Sequence, residues 1–138
     1  MMKPAHKWLL LASSLYLILA GAGTWVAVRE NLAAGFLGVL NGQDPLLDFP
    51  FIGTGLSAPL ILLVIQVFLM AGLARGVRRE TCALGLVILG GMYIVGQLGE
   101  PILWQAFVPA LRPEIALIGI ANVLCPLAMV MLGLKTRQ

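Results

Sequence analysis

Tyr93, Gln97 and Glu100 stand four and three residues apart in the apolar stretch GGMYIVGQLGEPILW. At about 100° per residue, that spacing puts a phenol, an amide and a carboxyl on one helix face. Hydrocarbon cannot satisfy these groups, so the face must turn into a bundle or a wet cavity. One carboxyl and one phenol can move a proton between them. Asn122 and Gln66, each inside another apolar run, complete the candidate ligand-binding set. Two roles stay open for Glu100. It either ends the helix as a solvated carboxylate, or closes an outward-facing polar pocket with Gln97, Tyr93 and Asn122. Arg112, across a short connection, is the nearest candidate cation.

Proline sharpens the pattern. Pro101 lacks an N–H and is expected to free the carbonyl of Gln97; Pro126 does the same to Asn122. Asn122 can then bond across to another helix or hold a water against that carbonyl.

Other chemistry is thinly represented. Asp44 and Asp48 are four residues apart, but the glycine and further oxygen ligands of a calcium loop are absent, so no metal site is expected. The single histidine, His6, excludes a bis-His haem and His-rich zinc or di-iron centres, and is expected to be exposed in the N-terminal tail. Cys82 and Cys125 form no C-x-x-C pair and read as small core residues. No phosphate loop, dinucleotide fingerprint or nucleophile elbow occurs, and no cofactor is expected.

The elements that must position these side chains follow from composition. Of 138 residues, 60% are apolar and 11% charged, against roughly 25% charged in soluble domains. Mean hydropathy is +0.99. Four apolar runs, about 8–28, 57–74, 81–99 and 115–134, approach the roughly 20 residues that span a bilayer as a helix. They lack the two-residue alternation of barrel strands. The expectation is an all-α integral membrane protein. It has one membrane domain over 1–138, a four-transmembrane-helix bundle. The first run has the basic start, Lys3 and Lys7, and the small residues of a secretory signal. Its length of 21 residues favours an uncleaved helix. In the third run Gly85, Gly90, Gly91, Gly96 and Gly99 permit close helix approach.

Charge sets the expected orientation. Lys3, Lys7, Arg75, Arg78, Arg79, Lys135 and Arg137 fall on one side, leaving only Arg29 and Arg112 on the other. The positive-inside rule puts both termini in the cytoplasm of a bacterial-type inner membrane. Glu30, Asp44, Asp48, Glu100 and Glu114 lie at or beyond the outer ends. Trp8, Trp25 and Trp104 mark the two interfaces. The basic residues all flank the membrane, so no nucleic-acid partner is expected.

The outer loop, 29–56, is too apolar to be a plain solvated connection. Asn31 reads as an N-cap and Asn41–Gly42 as a stop. Leu32, Phe36, Leu37 and Leu40 recur between them at helical spacing, which predicts a short interfacial or re-entrant helix. Phe36, Leu40, Phe49 and Phe51 are candidates for docking a partner, because an apolar segment outside the membrane needs cover.

GGMYIVGQLGEP, followed about 14 residues later by Glu114 in RPEIALIGIANVLCP, resembles small four-helix bacterial membrane proteins of the broad DoxX-like type. Those pair a Gly-rich third helix ending in Gly-x-Pro with a fourth helix opening on Glu. The likeness covers about a third of the chain. Tyr93 or Gln97 falls near the position where that group often carries a basic residue. The resemblance implies a four-helix bundle and little about activity.

The expected function is an accessory or scaffolding subunit of a larger membrane complex. Its partners would be membrane lipids and other membrane subunits or further copies of itself. The first alternative is a binder or transporter of a small apolar molecule or lipid, using the outer pocket. The second is a lipid-modifying enzyme such as an isomerase, with Glu100 as acid/base and Tyr93 as partner.

Overall fold

The computed structural model describes residues 2–39, 42–108 and 111–136; Leu40 of the expected docking set lies outside the described residues. The fold is helical, and among the described residues no β-strand forms beyond the isolated bridges Ala33–Thr54 and Thr54–Ser57. Helices α1 (Pro4–Arg29), α4 (Arg79–Leu98) and α6 (Pro113–Lys135) are long and apolar enough to cross a membrane and mark an integral membrane protein. Between them lie α2 (Pro45–Asp48), α3 (Leu60–Arg75) and α5 (Pro101–Gln105). Pro4, Pro45, Pro101 and Pro113 open four of these helices, at positions where a missing N–H costs nothing.

Helix α6 runs antiparallel to both α1 and α4. Gly133 near the end of α6 packs on Ala83 and Val87 at the start of α4. Gly23 near the end of α1 lies beside Ile118 at the start of α6. Gly72 of α3 meets Cys82 of α4 across the 75–79 turn. There Gly76 is left-handed (φ +80°). Its N–H reaches the Leu73 carbonyl, and the Val77 N–H reaches that of Gly72 at 2.9 Å. This is the Schellman ending that glycine favours. Consequently Lys3, Lys7, Arg75, Arg78, Arg79 and Lys135 gather at one end of the bundle, and Arg29 and Arg112 at the other.

Two buried clusters share the interior. One, built on Leu9, Leu73, Ala83, Leu86 and Met129, fills the basic end and rises to Tyr16 and Tyr93. The other, Val26, Ala27, Leu56, Ala106, Ile115 and Ala116, fills the acidic end. Outside, Ile18, Phe68, Leu117 and Met131 are well exposed, a surface suited to lipid.

Three expectations need correction. First, α3 begins at Leu60 and has 16 residues, fewer than the 57–74 run suggested. Pro59 pushes Ala58 out of the helical region, and Ser57 turns back to pair with Thr54. Second, no helix starts at Asn31. Asn31 is left-handed (φ 54°) and ends α1. Its N–H meets Val28, and the Leu32 N–H reaches the Ala27 carbonyl at 2.7 Å, with asparagine serving where glycine usually does. The segment beyond forms only a single 3-10 turn, Phe36–Gly38. Third, His6 is part of α1 and is buried.

Candidate functional site

The site is built where α4 stops. The residue before a proline is driven to extended backbone, and Glu100 takes φ −80°, ψ 121°. So α4 ends at Leu98 and α5 restarts at Pro101. The freed acceptor expected at Gln97 is absent: its carbonyl takes the Glu100 N–H at 3.2 Å. The next two carbonyls are also used. Trp104 Nε1 donates to Leu98 at 2.9 Å, and the Leu37 N–H to Gly99 at 2.9 Å.

Glu100 turns inward and is 9% exposed. Its Oε2 accepts the Gly35 N–H at 2.9 Å. Burial pushes the carboxyl above the usual glutamate value, and the Gly35 amide pulls it partly back. Arg112 is not its cation. Arg112 pairs with Glu30 at 3.1 Å, and Arg29 pairs with Glu114 at 2.7 Å and Glu30 at 3.0 Å. Among the described residues no salt bridge reaches Glu100.

Tyr93, Gln97 and Glu100 line one partly open cavity of about 180 Å³. Tyr93 donates to the Leu62 carbonyl at 3.1 Å. Its ring stacks on Tyr16, centroids 4.4 Å apart. The opposite wall comes from the outer loop, through Phe36, Thr54 and Ser57.

That loop enters the bundle as irregular backbone, and the N–H groups of residues 53–57 each find an acceptor. Gly53 N–H reaches Asp48 O, Thr54 N–H reaches Ser57 O, Gly55 N–H reaches Leu32 O, and Ser57 N–H reaches Thr54 O. Leu56 N–H takes the Thr54 hydroxyl at 3.3 Å. The Leu56 carbonyl takes Asn122 Nδ2 at 2.7 Å. Gly23 makes room for this turn: a Cβ there would strike the Leu56 backbone.

Asn122, 1% exposed, therefore stands behind the cavity and seats its wall. It also approaches Gln97 Oε1 at 3.4 Å. Gln66 is elsewhere, donating to the Ser13 carbonyl at 2.8 Å. Asp44 and Asp48 cap backbone N–H groups of residues 43, 44, 46 and 47. Of the expected docking residues, Phe36 lines the cavity, Phe49 packs against the core, and Phe51 is 78% exposed.

Sequence reasoning missed Tyr16, Thr54 and Ser57 as lining residues. Tyr16 carried a signal, as a phenol in an apolar run. The hydroxyls of GTGLSAP carried one too, since Gly53 is at φ +93° and two glycines around a threonine suit a tight turn.

No family model, curated protein or solved structure matches the chain.

Proposed function

We propose that this chain is a four-span protein of a bacterial-type inner membrane, with cytoplasmic termini, that binds a small amphipathic molecule in its outer pocket. The observation that carries the reading is the cavity itself. It joins a buried carboxyl, an amide and two stacked phenols beside a loop whose N–H groups at residues 53–57 all find acceptors. Irregular backbone at membrane depth is tolerated where it is buried in protein or lines a cavity. In this reading α3, about 24 Å long by its rise, is the second span, completed at its outer end by residues 54–59 of the re-entrant turn.

Gly96 offers the test. It lines the cavity, and a Cβ there meets nothing within 4 Å. Native mass spectrometry of the chain from mild detergent should show a retained small molecule or lipid, and Gly96→Leu should lose it. Equal retention in both would put the bound molecule elsewhere and sink the pocket reading. For orientation, Lys3→Cys and Arg78→Cys in a Cys82→Ser background should resist an impermeant thiol reagent in intact cells. Asp44→Cys should react. Labelling at 78 from outside would reverse the topology.

An accessory-subunit role has its own support: Leu37, Val39, Leu46, Leu47 and Phe51 are all exposed on the outer loop. Leu47→Ser with Phe51→Ser should then shrink the native complex; unchanged size removes this role. Direct acid/base partnership of Tyr93 and Glu100 is disfavoured, because seven residues separate them by about 10 Å along the helix.

A further inference from the structure

We propose that the ligand of this pocket is an organic ammonium carrying an apolar chain, with the ammonium held by Glu100. The inference rests on the pocket reading above and names its ligand class. Glu100 is nine-tenths buried, yet no cation among the described residues pairs with it. A buried carboxylate is costly unless paired. The two nearby arginines are committed to Glu30 and Glu114. Only Oε2 is engaged, by a single backbone N–H; Oε1 is left to accept from a ligand.

The rest of the wall fits the same guest. Tyr16 and Tyr93, about two helical turns from Glu100, stack on each other and present aromatic surface to the chain rather than to the ammonium. Met92 and Leu62 offer apolar surface for a chain. An anionic head group would meet the Glu100 carboxylate with no compensating cation among the described residues. A neutral alcohol could use the Thr54 and Ser57 hydroxyls, and it is the rival the experiment must separate. An ammonium could come from a free amphiphile or from an aminolipid head group; the recognising chemistry is the same.

The test uses the purified full chain in a maltoside detergent, titrated with decylammonium, decanol and decanoate, which differ only in the head group. Decylammonium should bind at least about tenfold tighter than decanol, the scale of a charge-assisted hydrogen bond, and decanoate weakest. Glu100→Gln keeps an oxygen for the Gly35 N–H and removes the charge. It should abolish the preference for decylammonium, so that the two probes bind with similar affinity. Gly96→Leu should weaken both. A preference that survives Glu100→Gln, or decanol binding as tightly as decylammonium, overturns the ammonium assignment but leaves the pocket standing. No Gly96-dependent binding of any probe overturns both. Short-chain phosphatidylethanolamine is the last probe. Binding with the same Glu100 dependence supports the proposal with a lipid head group as source. Decylammonium binding without it supports a free amphiphile.

Discussion

Glycine admits side chains at the basic end of the bundle and, at one point of the acidic end, main chain. At the basic end, Gly133 of α6 admits Val87 of α4, and Gly85 of α4 admits the Leu69 side chain of α3. Both neighbours are side chains, and helix lies on helix. At the acidic end, Gly23 of α1 admits the Leu56 carbonyl, a piece of rigid main chain. The basic end is closed by side-chain packing around Leu9, Leu73, Leu86 and Met129. The acidic end is closed by hydrogen bonds that seat a loop, and a cavity stays open beside it. Packed helices make a stable wall, while a loop held by specific bonds makes a pocket whose lining can carry function.

The largest contrast should come from the glycines. Gly23→Val drives a side chain into the Leu56 backbone and should cost about 3 kcal/mol or more, read as a fall in melting temperature in detergent. Gly133→Ala meets chiefly the Val87 side chain, with the Ala83 carbonyl in ordinary contact at 3.4 Å, and should cost about 1 kcal/mol. Equal effects would erase the distinction between the ends. Gly21→Val, with open space around it, is the control and should be near neutral.

Next come the amides. Asn122→Leu strands the Leu56 carbonyl, which has no other partner among the described residues, and should cost about 1–3 kcal/mol while loosening the pocket. Gln66→Leu removes a second bond from a Ser13 carbonyl already inside α1, and also deletes the unpartnered Gln66 Oε1. Its effect should stay under about 1 kcal/mol. A reversed order in chemical or thermal unfolding would make the mid-bundle amide the more important one.

A pH series sharpens the comparison. Glu100 holds its proton more tightly folded than unfolded, so the folded state binds more protons in the window above the ordinary glutamate value. Its favourable contribution is full below that value and is lost as pH rises through the raised one. The melting temperature of the wild type should therefore decline across that window, and that of Glu100→Gln should decline less. Glu30, Glu114 and their arginines are common to both proteins, so the difference curve reports Glu100. Parallel curves would mean that the carboxyl is solvated. The smallest effect belongs to Arg112→Ala. Its pair with Glu30 is solvent-exposed, and exposed pairs contribute little. Stability should change within measurement error, and less still at high salt.

The periodic features were readable from the chain. The apolar runs gave the three long helices, and the i, i+4, i+7 spacing gave a shared face for Tyr93, Gln97 and Glu100, all of which line the cavity. What was not readable depended on contacts between distant residues. Asn31 looks the same as a helix start or a helix end, and only the Leu32 N–H reaching back to Ala27 decides it. The 57–74 run is apolar throughout, so composition could not reveal that its first three residues turn instead of coil. Arg112 lies close to Glu100 in sequence, yet Glu30, 82 residues away, takes it. Gln66 and Asn122 share the same amide chemistry, but only Asn122 faces the loop that needs a donor.

The bond between Asn122 and Leu56 spans 66 residues, and it sets an order of events during synthesis. A chain is made from its N-terminus, so the turn at 53–57 exists long before α6 does. Until α6 arrives, the Leu56 carbonyl lacks its Asn122 donor. The seat of the cavity wall is thus among the last contacts of the molecule to form. An unfinished or misinserted chain carries an unmatched polar backbone group behind the cavity wall, where the finished one carries a hydrogen bond. Such a group is the kind of defect by which membrane quality control can tell an incomplete copy from a mature one.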